Sequence, residues 1–465
     1  MQAMSRRCVK LKVTRDLTTG NIYKNFLLFT LPLIGSSLLS SMYSTVDAMI
    51  AGKFISEHAI GAINATGSFD MIFHALFDGF GEGFAVFVAL LFGKKEYGRM
   101  KSDILHMLLL LIGVFLLISS GAILFRNPIM DFLQVDPILR ADTEIYFIIY
   151  TAGYLIIYGN IMLVHILQAL GVTSVSFYVS LISAVLNIGG NLLTVLVLDW
   201  GVAGLAFSTL FSAFVATVIY LIMLRRAFRE LPSEKLRFGF DFSCVTRSLR
   251  YTLPAAVQKV AYHGVGFLVA PSINGLGADA TTGYTVSNRI INMCSQCFWC
   301  ASRVLGCYAA QCVGAGKQDK IRRGLWVDLW LCFGLTLPVV LVFCCFAAPI
   351  SSLFFPEGYV GVAFQYAVRF ATFYLPFLFI NMLGHLIHTY LRGLGAMNVV
   401  FWVSLLGSAA RLAATLLLVP TMSMEGVFAA ILCGWIADTA ASALLYLLFF
   451  RTDVHIKRAI RHATK

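Results

Sequence analysis

The sequence predicts an all-α polytopic membrane protein: twelve transmembrane helices in two six-helix bundles, related by a pseudo-two-fold along the membrane normal. Three observations carry this prediction. The first is composition. Hydrophobic residues make up 59% of the 465-residue chain and charged residues 12%, with a mean hydropathy of +0.82, whereas a water-soluble domain carries about 25% charged residues. The second is run length. Residues 145–198 hold no Asp, Glu, Lys or Arg, and a hydrocarbon core about 30 Å thick is crossed by roughly 20 apolar residues. Barrel strands would be shorter and alternating. The third is an internal repeat. Thr30-Leu31-Pro32 recurs as Thr252-Leu253-Pro254, Gly93 as Gly314, and Ala169-Leu170-Gly171 as Gly393-Leu394-Gly395, all at a shift of 221–224 residues. Six spans per repeat is an even number, so both copies enter the membrane from the same side.

In chain order, residues 1–24 form a basic cytoplasmic lead-in. The first apolar run begins at Phe26 and continues as a full span, so it does not read as a cleavable signal. The N-terminal lobe, 25–224, holds spans 25–51, 59–92, 104–125, 138–170, 174–198 and 201–224. The first carries Pro32 and Asp47, and the second Asp70, Asp78 and Glu82. Gly171-Val172-Thr173-Ser174 is a turn between spans four and five. Residues 225–247 are the charged cytoplasmic linker between halves. The C-terminal lobe, 248–450, holds spans 248–275, 280–312, 326–348, 359–391, 398–419 and 426–450. These carry Lys259, Arg289, Arg303, Arg369, Arg411 and Asp438. Pro32, Pro254, Pro338 and Pro376 are kink positions. A cytoplasmic tail, 451–465, closes the chain.

Charge tests this topology. With the N-terminus inside, 27 Lys and Arg fall in interior segments, three outside and five within spans. That distribution obeys the positive-inside rule and places both termini in the cytoplasm of a cell (inner) membrane. The net charge of +12 is therefore a topology signal, not a nucleic-acid one. Ten of the 11 Cys lie in the second half, five of them at 294, 297, 300, 307 and 312. No flanking set completes a metal site, and they read as small apolar residues. No HExxH pair, Ser/His/Asp arrangement or phosphate-cradling loop marks a membrane-embedded enzyme.

Leu31-Pro32, Tyr43-Ser44-Thr45-Val46-Asp47 and Gly52 resemble the first-helix signature of the multidrug and toxic compound extrusion (MATE) transporters. Ala62 to Gly67, Gly79 to Gly83 and Phe92-Gly93-Lys94-Lys95 resemble that family's second helix and loop, and Gln311 with Gly314-Ala315-Gly316 the end of its eighth. Asn187, Asn191 and Ser208-Thr209 resemble positions on its fifth and sixth helices. The resemblance implies a monomeric antiporter without cofactor, driven by H+ or Na+, that exports drugs or other organic compounds. The DinF-like branch is the nearer one, because the second-lobe positions that bear acids in the other branch read Tyr262 and Asn381. The resemblance further implies a coupling-cation site at Asp47, Asn187, Asn191 and Thr209. Asn191 stands where the pattern has Asp, one carboxylate fewer. A lipid-linked-precursor flippase of the wider superfamily is the alternative.

The intramembrane charges segregate, and at that depth they mark function. The first two spans hold four acids and no base, and the second lobe, away from its span ends, five bases and Asp438. Pairing across a central cleft is the expectation for Asp70, Asp78, Lys259, Arg289 and Arg411. Glu82 at a shift of 221 lands on Arg303, which makes this pair the candidate gate. Asn187 maps onto Arg411 at 224. His385-x2-His388 share a helix face, where packing competes with a proton-relay role.

Overall fold

The structure is a computed structural model and describes residues 14–55, 57–232, 242–356, 358–450 and 457. Much of the expected N-terminal segment (1–13), of the linker (233–241) and of the tail lies outside the described residues. Eleven long helical stretches, one of them double, supply twelve spans. They are α1 (Ile22–Phe54), α2 (Glu57–Lys94), α3 (Tyr97–Leu124) and α4 (Arg140–Ala152 with Tyr154–Ala169). They continue with α5 (Ser174–Leu192), α6 (Gly201–Glu230), α7 (Phe242–Asn274), α8 (Ala278–Gly314) and α9 (Gln318–Cys345). The span α10 runs from Val362–Arg369 to Leu378–Gly393, and α11 and α12 share the stretch Met397–Leu445.

The irregularities have local causes. Asn21 caps α1, its side chain accepting from Lys24 N at 3.3 Å. The two halves of α4 meet at 49°, where Leu210 packs so closely that a Cβ on Gly153 would lie 2.0 Å from it. A π turn, Phe370–Tyr374, and a 3-10 turn at Pro376 interrupt α10. Ser423, at φ 52 and ψ −128, breaks Met397–Leu445 into α11 and α12. Among the described residues, eight helices are long and apolar enough to cross a membrane, and the bent α4 pair makes a ninth. The division at Ser423 adds a tenth span. The remaining two, α7 and α8, are more polar because Lys259, Arg289 and Arg303 stand on them.

The lobes meet at the end that bears the basic loops. One hydrophobic core there joins Phe84, Val88 and Leu91 of α2 to Val304, Leu305 and Tyr308 of α8 and Tyr390 of α10. Toward the opposite end the lobes have separate cores, one around Ile50, Tyr146 and Leu205, the other around Val269, Ile290 and Phe428. The repeat shows itself in the contact. A Cβ on Gly93 would lie 2.2 Å from Gln311 O, and one on Gly314 would lie 2.2 Å from Leu90 O. Residue 93 maps to 314 and residue 90 to 311 by the same shift, so the contact is self-complementary, as in a two-fold dimer.

The segment from Thr14 to Asn21 straps this end. Arg15 N donates to Leu170 O of the first lobe at 3.0 Å. Leu17 N donates to Gln311 Oε1 of the second at 2.9 Å. Lys317 and Lys320 bond Thr18 Oγ1 and Thr18 O, each at 2.7 Å. Gln311 Nε2 also reaches Ala169 O across the lobes at 3.0 Å.

Candidate functional site

Two polar sites lie within the bundle. The first belongs to the N-terminal lobe alone. Asn187 and Asn191 stand one turn apart on α5, 1% and 0% exposed. Asn191 Nδ2 donates to Asp47 Oδ1 of α1, and Asn187 Nδ2 to Thr209 Oγ1 of α6 at 3.3 Å. All four residues that the family resemblance implies are thus brought together. Both amide oxygens, Asn187 Oδ1 and Asn191 Oδ1, are buried without a hydrogen-bond donor. Orphaned acceptors carry a desolvation cost. Two of them beside a carboxylate form an oxygen set suited to a hard monovalent cation or a proton.

The second site crosses the lobes. Asp78 and Glu82, one turn apart on α2, meet bases from three helices of the other lobe. Lys259 Nζ of α7 lies 2.8 Å from Asp78 Oδ2 and 3.4 Å from Glu82 Oε2. Arg303 of α8 lies 3.5 Å from Asp78 Oδ1. Arg392 of α10 lies 2.8 Å from Glu82 Oε2. His165 Nε2 of α4 stands 3.0 Å from Asp78 Oδ1. Asp78 and Lys259 therefore pair across the lobes as expected.

Other placements depart from expectation. Arg303 pairs with Asp78, and Glu82 takes Arg392 and Lys259 instead. The repeat places positions 82 and 303 near the axis, but α7 and α10 offer nearer cations. Arg392, counted with the interior loops, is 2% exposed and ends α10 inside the interface. Among the described residues Asp70 has no Lys or Arg within 4.0 Å: Tyr158 and Tyr150 of its own lobe donate to it at 2.5 and 3.4 Å. Those tyrosines belong to a ladder, Tyr146, Tyr150, Tyr154 and Tyr158, with ring centroids 4.9–6.1 Å apart. The spacing of four that builds this ladder is legible in the sequence. Arg411 donates to Tyr284 OH at 2.9 Å within its own lobe. Arg289 is exposed and, among the described residues, has no carboxylate within 4.0 Å. Arg369 pairs with Glu425 at 2.9 Å. The two histidines diverge. His385 packs on Phe298 and Trp299, while His388 Nε2 lies 2.8 Å from Ser442 Oγ and 3.5 Å from Asp438 Oδ1. Among the described residues no three His, Cys, Asp or Glu assemble a metal-holding group.

Asp78, Glu82, Lys259, Arg303, Arg392 and Asp438 line a cavity of about 240 Å³ between the lobes. Beneath it, toward the closed end, lies a smaller one of about 20 Å³. Every residue of the smaller wall faces its own repeat counterpart there: Glu82 and Arg303, Ala85 and Gly306, Val86 and Cys307, His165 and Thr389, Gln168 and Arg392. The pseudo-two-fold axis therefore passes through the charged site.

Twelve helices in two lobes around an intramembrane charged cavity are the architecture of a multi-pass membrane transporter. The MatE family model matches residues 32–193 and 254–434, and the chain belongs to that family. Among curated relatives, the Bacillus subtilis (strain 168) protein named probable multidrug resistance protein YoeA is 24% identical over 361 residues, 74% of this chain and 76% of its own. YpnP of the same organism, also named a probable multidrug resistance protein, is 20% identical over 93% and 96% of the two chains. Among solved structures, a MOP superfamily transporter from Pyrococcus furiosus superposes with a TM-score of 0.86 at 17% identity, covering 98% of this chain and 99% of that one. A variant of the Vibrio cholerae MATE transporter VcmN does so at 0.86 and 18%, covering 95% and 100%.

Proposed function

We propose that the chain is a secondary-active antiporter that exports drugs or other organic compounds by alternating access, driven inward by H+ or Na+. The observation that carries this reading is the Asp47 site, where two buried amide oxygens without donors flank a carboxylate. A cation taken there neutralises Asp47 and satisfies those oxygens, so its binding and release change the lobe's internal packing. In this reading 25–224 and 248–450 are the lobes of a monomer in a cell membrane with the basic-loop end cytoplasmic, and the closed contact at that end supports an outward-open state. The DinF-like assignment rests on the Asp47 set together with Tyr262 and Asn381 in the second lobe.

Proteoliposomes with separately imposed Na+ and H+ gradients test the proposal. Efflux of an organic substrate should follow one gradient, and Asp47→Asn should remove that dependence while the protein still folds. Flux that ignores both gradients refutes it. A lipid-linked-precursor flippase is the second reading. It is favoured by an almost wholly apolar groove of about 830 Å³ beside the charged cavity, lined by Phe69 and Ile72 of α2, Ala261 and Leu268 of α7, and Leu405 of α11. Gradient-independent movement of a fluorescent lipid between leaflets would favour it over export.

A further inference from the structure

We propose that the central cavity takes compounds bearing a carboxylate or phosphate oxyanion, and that the oxyanion binds by displacing Asp78 and Glu82 from Lys259, Arg303 and Arg392. This names the substrate class of the exporter proposed above and rests on that reading.

Three observations lead here. The two acids come from a single helix, α2, whereas the three bases converge from α7, α8 and α10. The bases thus form a standing cationic pocket in one lobe, and the acids are a removable pair from the other. Three bases meet two acids, so the cluster holds one positive charge in excess. Asp438 lines the same cavity but stands apart from the bases, beside His388 at 3.5 Å and, among the described residues, with no Lys or Arg within 4.0 Å, so the excess is local to the three bases. Finally, Arg392 is 2% exposed, yet its Nε has no hydrogen-bond acceptor. A guanidinium donates five hydrogen bonds in a fork that matches carboxylate and phosphate. Arg392 already reaches Glu82 and Thr389, and its Nε is the donor left over for an incoming oxyanion.

The exchange has a mechanical result. Asp78–Lys259, Asp78–Arg303 and Glu82–Arg392 are bridges between the lobes, next to the sealed end. An oxyanion that takes over the bases leaves Glu82 without its cations and Asp78 with His165 of its own lobe. The lobes then lose their ion pairs at that level and keep packing and the Ser37–Gln296 hydrogen bond of 2.8 Å. Binding of the transported group is in this way linked to release of the closed contact. An organic cation would have to compete for Asp78 and Glu82 against three fixed bases, and it would leave those bases unpaired.

The test uses the full chain in lipid nanodiscs and three probes of one shape: phenylalanine, 3-phenylpropionate and phenethylamine. Calorimetric titration should show both carboxylates binding at least tenfold tighter than the amine. Arg303→Gln should weaken the carboxylates by roughly tenfold or more, the worth of one hydrogen bond to a charged group. Arg303→Lys, which keeps the charge, should restore part of the loss. Equal or tighter binding of phenethylamine overturns the proposal, as does carboxylate binding unchanged in both Arg303→Gln and Lys259→Gln. Phenyl phosphate serves as the phosphate arm and should follow the carboxylates in every variant. The two readings fail separately. Anion binding without gradient-driven flux removes the antiporter and leaves the site, whereas gradient-driven efflux of the amine without anion binding removes the site and leaves the antiporter.

Discussion

Replacing Gly314 by alanine should open the sealed end of the bundle. The added methyl would lie 2.2 Å from Leu90 O and 2.8 Å from Lys94 N, backbone atoms that cannot rotate away. Ordinary contact begins near 3.4 Å, so α2 and α8 must part by roughly 1 Å. Overpacking of this kind costs about 1–3 kcal/mol. The cost falls only on the conformation in which the helices touch, which shifts the closed-to-open ratio by roughly five- to 150-fold. Gly93→Ala meets Gln311 O at the same 2.2 Å and should give the same shift, because the two glycines are repeat counterparts. The double variant should do little more than either single one, since the helices have already separated. Spin labels at Arg226 and Arg322, exposed on the two lobes near this end, would read the change as a population of longer distances by double electron–electron resonance. Gly113→Ala is the control, with nothing within 4 Å of its added methyl. If Gly314→Ala and Gly93→Ala both leave the distance distribution unchanged, or if only one acts, the reciprocal contact does not set the closed state.

Glu82→Gln leaves Arg392 buried without its carboxylate and should destabilise the fold by about 3–5 kcal/mol, while Glu82→Met combined with Arg392→Met should cost less than either single change; a thermal-unfolding double-mutant cycle measures this, and an additive result contradicts it. Gln311→Leu removes the acceptor of Leu17 N and the donor to Ala169 O. It should cost about 1–3 kcal/mol for each group left unpaired, seen as faster amide exchange at Leu17.

The twelve spans and the repeat were legible because both are written in hydropathy and in recurring turn residues, which depend little on side-chain detail. Some boundaries were near and others not, since the spans expected at 104–125 and 326–348 begin at Tyr97 and Gln318. The span expected at 59–92 is Glu57–Lys94, and the gap expected between 419 and 426 contains the break at Ser423. The Asp47 site came through the family resemblance, since nothing in the spacing alone brings α1, α5 and α6 together. The charged site was half legible. The segregation of acids and bases foretold pairing across the lobes, but not which base each acid takes. That choice depends on how far α7 and α10 lean toward the axis. Arg392 was lost because a charge beside Gly393-Leu394-Gly395 reads as loop when topology is counted, although its repeat counterpart Gln168 lies buried. Asp70 reads as wanting a base only when charge alone is counted. Tyr150 and Tyr158 satisfy it without charge.

The reciprocal contact at Gly93 and Gly314 carries a consequence for how such a molecule diversifies. Two separate identical subunits joined this way would present the same residue at positions 82 and 303, so that any charge near the axis would face itself. Covalent fusion lifts that constraint. One copy is free to become glutamate and the other arginine, and a place of mutual repulsion turns into one of attraction. The glycines, which serve shape rather than charge, had no such freedom and remain alike in both copies. Asymmetry of chemistry on a frame of symmetric shape is what a duplicated chain permits and a homodimer forbids.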